Sequence, residues 1–272
     1  MSADPPRRAR LQVLAHDPLL WSAALLTFFV FGMNELRPIF AAVFPQLDRP
    51  IFTQDSFVAL TAAHLELVAL SSVAAIVIGV AAGVFVTRPL GREFRPLVER
   101  VVAIGQTFPP VAVLAVAAPL LGFGKWPALI ALALYGLLPI VQNTVAGIES
   151  VPGSAHEAAK GLGMSAARIL RRIELPLAMP VIIAGIRTSV IINIGTAALA
   201  STVGAKSLGT PIIVGLAGFN TAYILQGSIV VGLLAVVVDL CFDRLLRFLD
   251  RWRDDTPRDV SAEAGQVRSA AS

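Results

Sequence analysis

The chain has 272 residues; 56% are hydrophobic, only 15% are charged, and the mean hydropathy is +0.76. A soluble domain carries about 25% charge, so this balance excludes an ordinary soluble fold and points to one polytopic membrane domain. The formal charge of +4 marks cytoplasmic loops in such a chain rather than a nucleic-acid partner, and the single cysteine, Cys241, excludes an intrachain disulfide and a cysteine-rich metal site.

Residues 1–17 are polar and basic, with Arg7, Arg8 and Arg10 and no small-residue cleavage site behind a short apolar core. They read as a cytoplasmic tail, not a removable signal. Six apolar spans are predicted within a transmembrane domain at residues 18–250: 18–33, 61–86, 97–121, 126–148, 177–202 and 222–242. A span needs about 17–25 apolar residues. Residues 34–56 form a long external connector. In the second span Ala75, Gly79 and Gly83 recur every four residues, a stripe of small side chains that lets another helix approach closely. The third contains Pro109-Pro110 and the fourth Pro139. Residues 251–272 form a polar tail, of which 255–272 read as disordered.

Lysine and arginine set the orientation. Seventeen of the 22 fall in residues 1–17, in the segments at Arg88–Arg100 and Lys160–Arg172, and from Arg244 onward. Arg37, Arg49, Lys125 and Lys206 fall on the other side, and Arg187 lies within a span. That asymmetry predicts a multi-pass protein of a bacterial inner membrane with both termini cytoplasmic.

The most polar stretch between two apolar ones is residues 151–176, in VPGSAHEAAKGLGMSAARILRRIELPLAMP. Ser154 precedes Glu157 by three, the capping-box spacing, so a short helix is predicted to start at Ser154 and weaken at Gly161 and Gly163. A second, from about Ala166 to Ile173, is predicted to end before Pro176. Two short helices bent at glycine make a compact knob. It reads as a docking element for another protein or as a loop facing lipid headgroups.

Glu157-Ala158-Ala159, then Gly163, then Ile173-x-Leu175-Pro176 resembles the EAA motif of permease subunits in bacterial ABC importers, with every fixed position present. In that family this segment is the coupling helix seated in a groove of the ATPase subunit. Stretches at residues 105–116, 120–132, 134–148 and 184–212 are similar to osmoprotectant permeases, which import glycine betaine, choline, carnitine and related compatible solutes. The opening, with DPLLW and FPQLDRPIFTQDSF, looks most like one subunit of the stress-induced, two-permease betaine importers. The resemblance implies an all-α integral membrane fold of the type I importer kind, with the coupling loop between spans four and five. It implies two permease subunits, alike or different, two ATPases and a periplasmic or tethered solute-binding protein. ATP and Mg would then sit on the partner, in keeping with the absence of any G-x-x-x-x-G-K-[ST] here.

Within the spans, Gln106, Thr107, Phe108, Gln142, Asn143, Arg187, Asn193 and Thr196 place polar and aromatic groups at depth. A betaine joins a cation that prefers aromatic faces to a carboxylate that prefers donors, so these residues are candidates for its path. The competing reading is that they bond neighbouring helices. For Arg187 the alternatives are a gate residue or a structural arginine satisfied by carbonyls or Asn193. His64 and Glu66, two apart, do not share a helix face, His156 reads as solvated, and Asp243 with Arg247 reads as an ordinary helix ion pair. No internal repeat marks an inverted-repeat secondary transporter, and no nucleophile–base pair or metal cluster marks an intramembrane enzyme. The remaining rivals are a permease of this type for another small solute, such as an amino acid, and an ion-coupled transporter.

Overall fold

The structure, a computed structural model, describes residues 17–254, with no strand among them. The predicted tails at residues 1–16 and 255–272 lie outside the described residues. Five helices are each long and apolar enough to cross a membrane, and a bent pair makes a sixth.

The first begins as α1, Pro18–Gly32, capped by Asp17, whose carboxylate accepts from the Leu19 amide at 3.0 Å. It does not stop at residue 33. A 3₁₀ turn, Met33–Leu36, leads into α2, Arg37–Val43, where Pro38 supplies the φ that a first turn wants. The first half of the expected connector is therefore helical. Its second half is anchored rather than loose: the buried Gln226 side chain accepts from the Phe52 amide at 3.1 Å and donates to the Pro50 carbonyl at 2.6 Å. Lys206 pairs with Asp55 at 2.7 Å, and Lys125 with Glu66 at 3.2 Å, so these two cations, expected on the outer side, have local partners.

The second span, α3, is Phe57–Val86, capped by the Ser56 hydroxyl, and starts four residues earlier than expected. The third differs most from expectation. It is α4, Arg95–Thr107, and α5, Pro110–Leu121, set at 93°. The break is local chemistry: Phe108 precedes a proline and is extended (ψ 135°), while Pro109 has no N–H to donate. The pair nevertheless reaches from end to end of α6, Lys125–Glu149. Arg95 pairs with Glu149 at one end, and the Gly124 amide donates to the Val203 carbonyl at 2.8 Å beside the other.

Between α6 and the fifth span lie α7, Gly153–Gly161, and α8, Ala166–Ile169. The helix does not end before Pro176. A π turn, Leu170–Glu174, carries it into α9, Leu175–Thr196, and a 3₁₀ stretch extends it so that one helical run covers Ala166–Val203. A wider turn moves the carbonyls away from the Pro176 ring, which would clash with the one four residues back in an α-helix. After α10, Gly209–Ala217, the last span α11 is Thr221–Asp254. It runs past residue 242 because no glycine or proline interrupts residues 233–254.

Helix α6 is central, packed chiefly on α3 and α9. The small-residue stripe of α3 faces it. A Cβ added at Gly83 would lie 2.6 Å from Thr144 Cβ, and one at Gly79 2.8 Å from Ile140 Cγ2. Gly185 makes the matching approach from α9, where an added Cβ would lie 2.7 Å from Pro139 O. Gly83→Val should therefore prise α3 from α6 and cost about 1–3 kcal/mol, the usual effect of overpacking. A lower thermal midpoint of the purified protein would register it, and an unchanged one would refute the contact.

Candidate functional site

The knob starts one residue before the expected place. Pro152 (φ −57°, ψ 134°) occupies the N-cap, its carbonyl accepts from Ala155 and His156, and α7 begins at Gly153. Ser154 is thus already helical and caps nothing, and the predicted Ser154–Glu157 box does not form because a capping residue must be non-helical. The exit of α7 is closed more firmly. Met164 N donates to Ala159 O at 3.1 Å and Gly163 N to Lys160 O at 2.9 Å, with Gly163 at φ +71°. That pair of bonds is a Schellman turn, and the left-handed residue in it is the motif's glycine.

The turn presents a two-faced element. Ala159 and Ile169 are buried against the body, whereas Ser154, Glu157, Ala158, Arg168, Arg171 and Arg172 are exposed. Leu162 stands out at the apex, 81% exposed, between Gly161 and Gly163. An apolar side chain held out on a turn outside the spans leaves a hydrophobic surface uncovered. The sequence alone does not flag it, because a lone leucine between glycines carries no periodic signal. Ile173 and Leu175 are half-buried, and Leu175 packs on Ile148, Ala178 and Ile182, rooting the knob on α6 and α9. Pro176 is exposed.

Behind the knob lies a charged cluster whose members are far apart in the sequence. Glu174, 3% exposed at its side chain, meets Arg88 at 2.7 Å and His156 at 3.1 Å. His156 is therefore paired rather than solvated, because the π turn aims Glu174 at α7.

The eight polar span residues divide. Gln106 donates to the Tyr135 carbonyl at 2.8 Å, which sets the α4–α5 bend beside the middle of α6. There Thr107 is exposed and bonds back to Ile104 O, and Phe108 is 55% exposed at the corner. Gln142 is exposed on α6, and Asn143 is half-buried with its amide on Pro139 O at 2.8 Å. Thr196 is half-buried at the far end of α9. Asn193 is apart from these, fully buried between α9 and α3, donating to Ser72 at 3.2 Å and Ser71 at 3.4 Å. Arg187 finds neither carbonyls nor Asn193. It grips Asp239 of α11 with two bonds, 2.6 and 2.7 Å, and Asp243 lies 3.8 Å away. Asp243 keeps its expected pair with Arg247 at 2.9 Å. Buried His64 joins α3 to the far end of α9, its Nε2 3.0 Å from Ile194 O and its Nδ1 accepting from the Leu208 amide at 3.3 Å. Among the described residues no cluster of histidine, cysteine or carboxylate side chains could hold a metal ion.

A family model described as the inner membrane component of binding-protein-dependent transport systems matches residues 75–255. The chain belongs to that family. Among its relatives, the osmoprotectant import permease protein OsmY of Salmonella typhimurium is 43% identical over 176 residues, 65% of this chain and 75% of the relative. The choline transport system permease protein OpuBB of Bacillus subtilis is also 43% identical over 176 residues, covering 65% of this chain and 80% of the relative. Solved structures share the fold: an inward-facing MetNI methionine ABC transporter aligns with TM-score 0.64 at 23% identity, covering 71% of this chain and 95% of that one. The chain is thus a multi-pass inner-membrane permease subunit of an ABC importer with the type I fold. In this permease the match starts inside α3 and takes in α6, the knob and both charged clusters.

Proposed function

We propose that this permease imports a compatible solute, glycine betaine or a related quaternary ammonium compound, as one of two permease subunits. Two ATPase subunits dock at the knob, residues 151–176, and a periplasmic or tethered solute-binding protein delivers solute at the opposite face. The observation that carries the reading is the knob itself, a two-helix element on a Schellman turn whose glycine is the motif's Gly163. The solute class rests on the relatives named for osmoprotectant and choline transport at 43% identity. The chain performs no chemistry of its own; ATP and Mg belong to the ATPase. Glu157, Ala158 and Leu162 form the face offered to it. Phe108 at the bend offers the one exposed ring among the candidate path residues, a face for a quaternary cation, with Gln106, Thr107, Gln142 and Asn143 nearby on α4 and α6.

Both termini lie in the cytoplasm in this reading, as the charge asymmetry requires. The test uses the full complex with its binding protein in proteoliposomes. Uptake of glycine betaine should require ATP and a co-purifying ATPase, and a probe placed at Asp48 should be labelled from the binding-protein side. ATP-independent uptake sinks the importer reading. Binding of an amino acid by the cognate binding protein, and not of any quaternary ammonium compound, sinks the solute class.

A further inference from the structure

The Glu174 carboxylate lies where three elements meet. Its Oε2 takes Arg88, on the turn that ends α3; its Oε1 takes His156, on the first helix of the knob; and its own backbone is the π turn that roots α9. Arg88 is itself fixed, because its guanidinium donates to Thr87 Oγ1 at 3.2 and 3.0 Å and the chain turns tightly there, Arg92 N donating to Arg88 O at 2.9 Å. A buried carboxylate is costly unless paired, and this one has a basic side-chain nitrogen within ion-pair distance of each oxygen, although Oε2 lacks an aligned hydrogen bond. It occupies the variable place between Ile173 and Leu175, not a fixed position of the motif.

Besides this tie, helix α7 is held inward by the one side chain it buries, Ala159. It touches α8 and the π turn, and beside it opens a cavity of about 500 Å³ lined by Arg92, Arg95, Glu149 and Lys160 as well as by the cluster. Without the carboxylate tie, α7 has room to swing into that space while the spans stay put. We propose that Glu174 is the joint that makes α7 and the inner ends of α3 and α9 move as one body, so that displacement of the knob becomes displacement of the spans. Glu174, Arg88 and His156 are positioning residues in this scheme; none touches solute or nucleotide. The proposal deepens the docking reading of residues 151–176 and rests on it.

The test measures solute imported per ATP hydrolysed by the whole complex in proteoliposomes, together with ATPase co-purification. His156→Ala cuts only the tie to the knob and leaves Arg88–Glu174 in place, so the fold survives. It should retain its ATPase and its hydrolysis but import about fivefold less solute per ATP or worse, the size of a typical coupling between sites. Glu174→Gln should do the same more severely. His156→Lys, which places a donor within reach of the carboxylate again, should recover coupling, something a packing defect would not permit. Normal stoichiometry in His156→Ala, loss of the ATPase from it, or no recovery with His156→Lys overturns the proposal. Uptake by the unaltered complex without ATPase would instead overturn the docking reading, a separate result.

Discussion

Gly163→Val should abolish transport while the spans still insert. Gly163 sits at φ +71°, where an L-residue costs roughly 1–2 kcal/mol and a β-branched one is a genuine outlier. A Cβ there meets nothing within 4 Å, so the penalty is backbone strain and not a clash. The strain is relieved by losing the Met164–Ala159 and Gly163–Lys160 bonds, which unwinds the turn that holds Leu162 out. Insertion depends on the apolar spans and is untouched. The defect should appear as an ATPase that no longer co-purifies, or whose hydrolysis the loaded binding protein no longer stimulates. Gly163→Asn is the control, since asparagine visits the left-handed region more readily and should keep far more activity. Normal import by the valine variant would disprove the docking role of the knob.

The second large effect is expected inside the membrane. Arg187→Ala strips Asp239 of its two-bond partner and leaves a carboxylate on α11 within the apolar slab. An isolated charge there costs about 2.5–3.5 kcal/mol, enough to lower the yield of folded protein sharply. Asp239→Ala should be as harmful for the mirror reason, although Asp243 at 3.8 Å gives Arg187 a partial substitute. Replacing both with leucine should be milder than either single change, because it removes the charges together with the need to pair them. Detergent-extracted yield and thermal midpoint measure all three. A double variant as damaged as the sum of the singles would mean that the pair does something beyond satisfying itself.

What can be read from the chain alone follows the range of each signal. The apolar lengths, the stripe at Ala75, Gly79 and Gly83, and the motif around Gly163 are local patterns with one physical meaning, and the structure uses them as such. Three local signals mislead. Ser154 and Glu157 have capping-box spacing, yet Pro152 takes the cap instead. Pro176 signals a helix end, yet the π turn lets the helix continue, its backbone held where Glu174 meets Arg88 and His156. Pro109-Pro110 is plain in the sequence, but its apolar flanks read as one span, 97–121, instead of two helices at a 93° corner. The partners of Arg187 and Glu174 are out of reach for a different reason. Asp239 is 52 residues from Arg187, and no periodicity within one sequence says which helices become neighbours.

The corner at Phe108 and Pro109 has a consequence for the bilayer around it. A helix that stops in mid-slab strands carbonyl groups at its end, and hydrocarbon gives them nothing to bond. Here the Thr107 hydroxyl covers Ile104 O, and Gln106 spends its amide on Tyr135 O instead of on its own helix end. Free backbone oxygens at such a depth persist only against water or another polypeptide. Lipid acyl chains are therefore kept from this corner, and wherever the bend sits in the assembled transporter, hydration or a second subunit sits with it.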